Sequence, residues 1–342
     1  MTINQLINKY DSQNQFSVLK DTYKQVSDIW NATIDISSLT KKKFSSIVFC
    51  GLGGSAISGD LLRDYLSSEL KLPFEVIRGY NLPSFVNEDT LVIISSYSGN
   101  TEETISCFEQ ALKRKSLIAV ITSGGKIGEM AIASSLPMLK LKTGFQPRYA
   151  LGQGFFALLK LMQELDYSDE NKNVENIISL WYRRAKEYSS ENNFALNIAS
   201  DLIGFIPVIY SSEFLTSVGY RLKSQLNENS KLHAFHNVLP EMNHNEIIGW
   251  ETIREKQFNA KVLYMVDENY HPQNLKRFNL LKELLTEQKV EVLTLKSNEQ
   301  SKKVRIMDLI FLSDWISFYT SVLRGFDPSE IDFIHRMKQK LT

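Results

Sequence analysis

The sequence predicts an α/β protein made of two tandem α-β-α sandwich halves, each a doubly wound parallel sheet. Helices precede the first half and a helical tail follows the second. Three observations predict this. Short apolar runs of strand length alternate with stretches of helical period, the pattern of a parallel sheet covered on both faces. The order of elements restarts near residue 200, so the halves repeat in element order although their sequences differ. With 342 residues, the chain is long enough for two ordinary domains.

The elements follow in order. Residues 1–40 read as helical, with Leu6, Ile7 and Tyr10 and then Leu19, Tyr23, Val26 and Trp30 at helix spacing. Residues 46–50 form a first strand that ends in Gly51-Leu52-Gly53-Gly54-Ser55, and 56–70 a helix. Strands are expected at 73–77 and 91–94, a helix at 101–113, and a strand at 117–122 closed by Ser123-Gly124-Gly125. A mostly helical stretch runs from Tyr149 to about Ser200. The pattern then restarts: strand 206–210, helix 215–231, strand 261–266, helix 275–288, strand 290–295, helix 306–324. A break at Gly325 and Pro328 precedes a short terminal helix. The expected segments are a helical 1–40, a first domain 41–165, a helical connector 166–199, a second domain 200–325 and a tail 326–342.

Composition narrows the function. Hydrophobic residues are 43% and charged residues 23%, the profile of a soluble globular chain. Lys+Arg and Asp+Glu both number 39. A net charge of zero argues against nucleic acid or an anionic membrane as partner, because both demand a basic surface. No apolar stretch is read as approaching the ~20 residues of a membrane span. Cys50 and Cys107 lie in apolar surroundings with no Cys-x-x-Cys, which reads as buried thiols in a reducing compartment. The first residues show no secretory pattern, so the expected location is cytoplasmic.

Ser96-Tyr97-Ser98-Gly99-Asn100-Thr101 carries the strongest chemical signal. An apolar strand runs into a hydroxyl-rich turn that opens a helix. Free N–H groups and the positive end of the helix dipole suit an anion there, and Gly99 lets the backbone approach it. Without a lysine, the ligand class is a sugar-type phosphate monoester. The bland reading is an ordinary cap at Thr101, but one cap needs one hydroxyl and three are present.

Gly51-Leu52-Gly53-Gly54-Ser55-Ala56 loosely fits a dinucleotide fingerprint. The acidic residue that pattern needs after the second strand is replaced by Arg78, which could accept a 2′-phosphate. A phosphosugar loop, a plain tight turn and a dinucleotide loop all stay open. The absence of Gly-Lys-Ser/Thr excludes a Walker A loop. In the second half, Asn227-Glu228-Asn229 ends a helix, where a surface charge is the bland alternative. Pro240-Glu241-Met242-Asn243-His244-Asn245-Glu246 is a polar loop of the kind that carries function. His233 and His236 lie within a strand-like run from Leu232 to Leu239, and with His244 they lack a fixed ligand spacing, so no metal is expected.

These motifs together resemble the bifunctional phosphoglucose/phosphomannose isomerases of the sugar isomerase (SIS) superfamily, from about residue 45 to the end. Gln146-Pro147-Arg148-Tyr149 and Asp327-Pro328 look like that family too. The hydroxyl motif alone marks only the superfamily; its combination with Asn-Glu-Asn and Asn-His-Asn-Glu is more specific. The resemblance implies two SIS-type domains and an aldose-ketose isomerase that works without cofactor or metal. It implies Glu228 as the proton-shuttling base and His244 as the ring-opening group, the latter supplied by the other subunit of a homodimer. Arg148 is implied beside the reacting carbons. Lys338 is implied as a tail lysine entering the site, with Lys340 close enough to compete for that role. Gly53, Gly54, Ser55, Ser96, Ser98 and Thr101 are implied around the phosphate. The residue types suit the chemistry. A histidine can move a proton between O1 and O5 near neutrality. A carboxylate can carry one between C2 and C1, and cations can steady the enediolate. The competing readings are another sugar-phosphate isomerase, a phosphosugar-binding regulator and an NADP-dependent oxidoreductase. A regulator would normally carry a helix-turn-helix segment, for which residues 1–40 are too short and too mixed in charge.

Overall fold

The computed structural model describes residues 1–40, 42–253 and 259–341, apart from the side chains of residues 338 and 341. The chain divides by compactness into residues 22–179 and residues 1–21 with 180–342. That division passes through both the expected segment 1–40 and the expected connector 166–199.

The chain opens with α1 (Ile3–Tyr10), α2 (Gln15–Lys20) and α3 (Thr22–Trp30). Residues 31–40 are turns rather than helix. Thr2 and Gln5 close a capping box on α1. The strands and helices of residues 22–179 are β1 (Ser46–Cys50), α4 (Ala56–Tyr65), β2 (Phe74–Ile77), β3 (Thr90–Ser96), α5 (Glu102–Lys113), β4 (Leu117–Thr122), α6 (Gly125–Ala133), β5 (Met138–Lys140) and α7 (Leu151–Glu164). The five strands form one parallel sheet in the order β2-β1-β3-β4-β5. Periodicity missed α6 and β5. The helix starts on the glycine pair that read as a closing turn, and the strand has only three residues.

The sheet is doubly wound because alternate strand residues feed two cores. Val48, Cys50, Val92, Ile94, Ile118 and Val120 pack with Phe108 and Ala111 of α5 and with Ile127 and Ala131 of α6. Phe49 points the other way, where a Cβ on Gly59 of α4 would come within 2.5 Å of its ring. Phe155 of α7 meets Tyr65 of α4 edge-on at 5.5 Å. Both cysteines are free and buried.

α8 (Asn171–Tyr188) leads into the rest of the chain. There follow α9 (Phe194–Asp201), β6 (Ile206–Ser212), α10 (Thr216–Ser230), β7 (Phe235–Leu239), β8 (Ala260–Met265), α11 (Pro272–Glu287), β9 (Val292–Leu295), α12 (Lys302–Leu323) and α13 (Asp332–Leu341). The four strands are parallel, in the order β7-β6-β8-β9. This repeats the first four positions of the other sheet, so the element order restarts as expected. α11 covers the Tyr264 face, with Phe278 edge-on at 4.9 Å. α10 covers the opposite face, where Gly219 leaves room for His236.

α12 corrects the expectation that no apolar stretch nears membrane length. It has 22 residues and is long and apolar enough to cross a membrane by length and composition, but 94% of its apolar window is buried inside the protein. Its polar residues disguise it in the sequence, and its buried charges pair internally. Asp314 takes Arg221 Nε and Nη2 of α10 at 2.9 Å each and Gln225 at 3.1 Å. Asp267, after β8, takes Arg305 at 2.6 and 3.0 Å. Removing one partner of a buried pair leaves the other charge uncompensated. Asp314→Ala is therefore expected to destabilise the fold by about 3–5 kcal/mol, read as a drop in the denaturant midpoint.

Candidate active site

Three turns meet at the C-terminal edge of the β2-β1-β3-β4-β5 sheet, where ligands of open α/β sheets bind. The Gly51–Ser55 turn follows β1. A Cβ on Gly51 would lie 3.1 Å from Ser95 O, and one on Gly54 would lie 3.1 Å from Pro147 O, so the backbones pack closely at both. Ser55 Oγ accepts Tyr97 N at 3.1 Å and joins this turn to the hydroxyl loop. Gly99 has φ +69, and a Cβ there would fall 1.7 Å from Gly124 O. The Gln146-Pro147-Arg148-Tyr149 turn sits over Gly54. Arg148 is 3% exposed, its guanidinium reaching Gln146 at 3.5 Å and lying over the Tyr149 ring.

The hydroxyls divide their work. Ser96 is 2% exposed, and its Oγ accepts Gly99 N at 3.1 Å and pairs with Thr101 Oγ1 at 2.9 Å. Thr101 is the N-cap of α5 but makes no side-chain cap bond. The ordinary-cap reading therefore does not describe this hydroxyl, and the first-turn N–H groups of α5 receive no side-chain cap. Ser98 is exposed, Ser55 half-buried. Asn100, which motif reading left without a role, accepts Lys126 N at 3.0 Å and ties the start of α6 to the same loop. That bond spans 26 residues and leaves no local signal. Gly53 takes φ +55. Arg78, the candidate 2′-phosphate ligand, is bound instead to Asp60 of α4. Its charge is neutralised, which weakens the dinucleotide reading.

The β7-β6-β8-β9 sheet treats the matching place differently. The N-terminus of α11 receives the chain's own carboxylate: Glu213 Oε1 accepts His271 N at 2.8 Å and Asn274 Nδ2 at 2.9 Å. An internal anion occupies that helix end.

Residues 180–342 place Glu228 in the last turn of α10, half-buried. Its neighbours fix that turn. Asn229 donates to Ser317 Oγ of α12 at 2.9 Å, Ser230 Oγ to Ser317 O at 2.7 Å, and Ala234 N to Asn227 Oδ1 at 2.9 Å. Glu228 lines a cleft of about 420 Å³ with Asn227, Lys231, His233, Phe326 and tail residues 330–334. The tail so reaches the Glu228 cleft. Lys338 belongs to α13, and its side chain lies outside the described residues; Lys340 is exposed. His244 ends the turn Glu241–His244, is exposed, and is not among the residues lining that cleft.

His236 is a structural histidine. Its Nε2 meets Ser211 Oγ at 2.8 Å, and burial, aided by Lys223, lowers its pKa to about 4. Among the described residues no three His, Cys, Asp or Glu side chains group as metal ligands.

Fold and motif together define the class: residues 38–132 match the model of the SIS domain, and residues 191–341 that of the bacterial phospho-glucose isomerase C-terminal SIS domain. The chain belongs to the bifunctional phosphoglucose/phosphomannose isomerase family. It is 36% identical over 330 residues to the bifunctional phosphoglucose/phosphomannose isomerase of Aquifex aeolicus, covering 94% of this chain and 99% of that protein. It is 37% identical over 301 residues to the enzyme of the same name from Caldicellulosiruptor bescii, covering 86% of this chain and 89% of that protein. Among solved structures, a hypothetical protein from Thermus thermophilus shares the fold at TM-score 0.74 and 15% identity, covering 99% of this chain and 92% of that one.

Gly99→Ala forces a side chain into left-handed backbone and against Gly124. Such strain costs about 1–3 kcal/mol, so this variant should unfold at a lower denaturant midpoint than the wild type.

Proposed function

We propose that the chain interconverts glucose 6-phosphate, and mannose 6-phosphate, with fructose 6-phosphate by ring opening and a cis-enediol proton transfer. The observation that carries this reading is Glu228, a half-buried carboxylate on a rigidly anchored helix end facing a sugar-sized cleft. Family membership supports it.

In this reading the 6-phosphate is held by the uncapped N-terminus of α5 with Ser98 and Thr101 and by the Gly53-Gly54-Ser55 turn. Ser96 shapes the loop from within. His244 moves the proton between O1 and O5 to open the ring. Glu228 removes the C2 proton of the open aldose and returns it at C1. The cis-enediol intermediate has lost its C2 configuration, so one site serves both epimers. Arg148 and Lys338 stabilise the charge that develops on the enediolate oxygens. No step needs a metal or redox cofactor. The exposure of His244, away from its own chain's Glu228 cleft, supports its assignment to the cleft of a second copy in a homodimer. The buried free thiols fit a cytoplasmic setting.

The test is isomerisation of fructose 6-phosphate in EDTA, with the two aldose phosphates measured separately. Both products are expected; neither product would overturn the reading. Glu228→Gln should lower kcat by about 10²–10⁴-fold while sugar-phosphate binding stays near wild type. Wild-type turnover in that variant would remove Glu228 from the mechanism. Mixing Glu228→Gln chains with His244→Ala chains should restore about a quarter of wild-type activity, because half the random pairs hold one intact site. No recovery would place both residues of a site on one chain.

A further inference from the structure

Glu246 stands two residues past His244 and begins the turn Glu246–Trp250. Its Oε1 accepts the Tyr210 hydroxyl at 2.5 Å, and its Oε2 accepts the Asn237 amide at 2.6 Å. Tyr210 and Asn237 are register partners on β6 and β7. Paired residues of adjacent parallel strands project from the same face of a sheet, so both tips converge on one carboxylate. The Trp250 indole N–H donates to the Tyr210 hydroxyl at 2.8 Å and fixes the far end of the turn. Tyr210 and Trp250 are both buried. Burial, reinforced by the Glu246 carboxylate, pushes the Tyr210 phenol far above its ordinary value, so it stays a donor at working pH. At the near end, Asn245 Oδ1 accepts Glu246 N at 2.6 Å.

The His244 ring has no such support. It is exposed and makes no hydrogen bond to another described residue. Its direction is therefore set by the backbone of its turn, in which Met242 is fully buried on one side and Glu246 is bonded to β6 and β7 on the other. A carboxylate that accepts two hydrogen bonds is a stiffer anchor than a neutral contact.

We propose that Glu246 is the positioning residue of His244: gripped by Tyr210 and Asn237, it fixes the turn from which the imidazole is presented to the sugar. This rests on the reading of His244 as the ring-opening group. Glu246 touches no substrate and acts only through His244.

The experiment is a double-mutant cycle of Glu246→Ala and His244→Ala, with Tyr210→Phe as a milder variant that keeps the buried ring. The readout is steady-state conversion of fructose 6-phosphate. A misplacement of about 1 Å costs roughly 10²-fold in rate, so Glu246→Ala should lower kcat by about 10–100-fold with KM changed less than about twofold. Tyr210→Phe should shift kcat the same way by a smaller factor. In the His244→Ala background neither substitution should lower the rate further, because the group they position is gone. A multiplicative further loss there would show a general structural role and overturn the proposal. So would wild-type kcat in Glu246→Ala and Tyr210→Phe beside an impaired His244→Ala. Wild-type turnover in His244→Ala alone would overturn the ring-opening reading and the positioning role with it.

Discussion

The buried Arg221–Asp314 pair joins α10 to α12, and the Glu228 cleft depends on it. α10 needs a defined rotation, because Glu228 sits in its last turn and one helical step would turn the side chain by ~100°. Apolar packing alone tolerates such slips. A bidentate charged contact, extended by Gln225 on Asp314 and by Asn229 and Ser230 on Ser317, does not. The same polar seam explains how a helix as apolar as α12 stays in a protein core. Its carboxylates and hydroxyls pair with neighbours that a lipid environment would not supply.

The two sheets share a strand order and differ at one helix end. After β3, the chain presents the N-terminus of α5, where the Thr101 hydroxyl pairs with Ser96 Oγ and leaves the first-turn N–H groups without a side-chain cap. After β8, the N-terminus of α11 is met by Glu213, whose backbone sits at φ +46, uncommon for a non-glycine residue. A repeated architecture need not repeat a site. The difference lies in one hydroxyl diverted sideways and one carboxylate turned inward.

The polar turn after β7 shows how an exposed side chain can still be directed. Neither the His244 ring nor its immediate neighbours are buried, yet Met242 is buried on one side and the Glu246 carboxylate ties the turn to the strands on the other. Tyr210 links this tie to the Tyr264 face of the sheet, where its ring packs on Trp250 and Tyr264. The residues that fix the turn are thus strand residues, with less freedom than the loop they hold.

Strands, most helices, the hydroxyl loop and the Asn-Glu-Asn and Asn-His-Asn-Glu motifs were legible in the sequence, and with them the fold class and the family. These rest on local physics: alternation and helical period mark buried faces, and glycines mark turns that need unusual backbone angles. β5 escaped because three residues carry no period, and α6 because it starts on Gly125 with Gly124 as its cap. What the tertiary structure alone decided are the pairings across the fold: Arg78 with Asp60, Asn100 with the start of α6, Glu213 with the N-terminus of α11, and Glu246 with Tyr210 and Asn237. Each partner looks like an ordinary polar residue in its own segment. Its role arises only when the strand order brings distant segments together, and a sequence read segment by segment holds no distance between them.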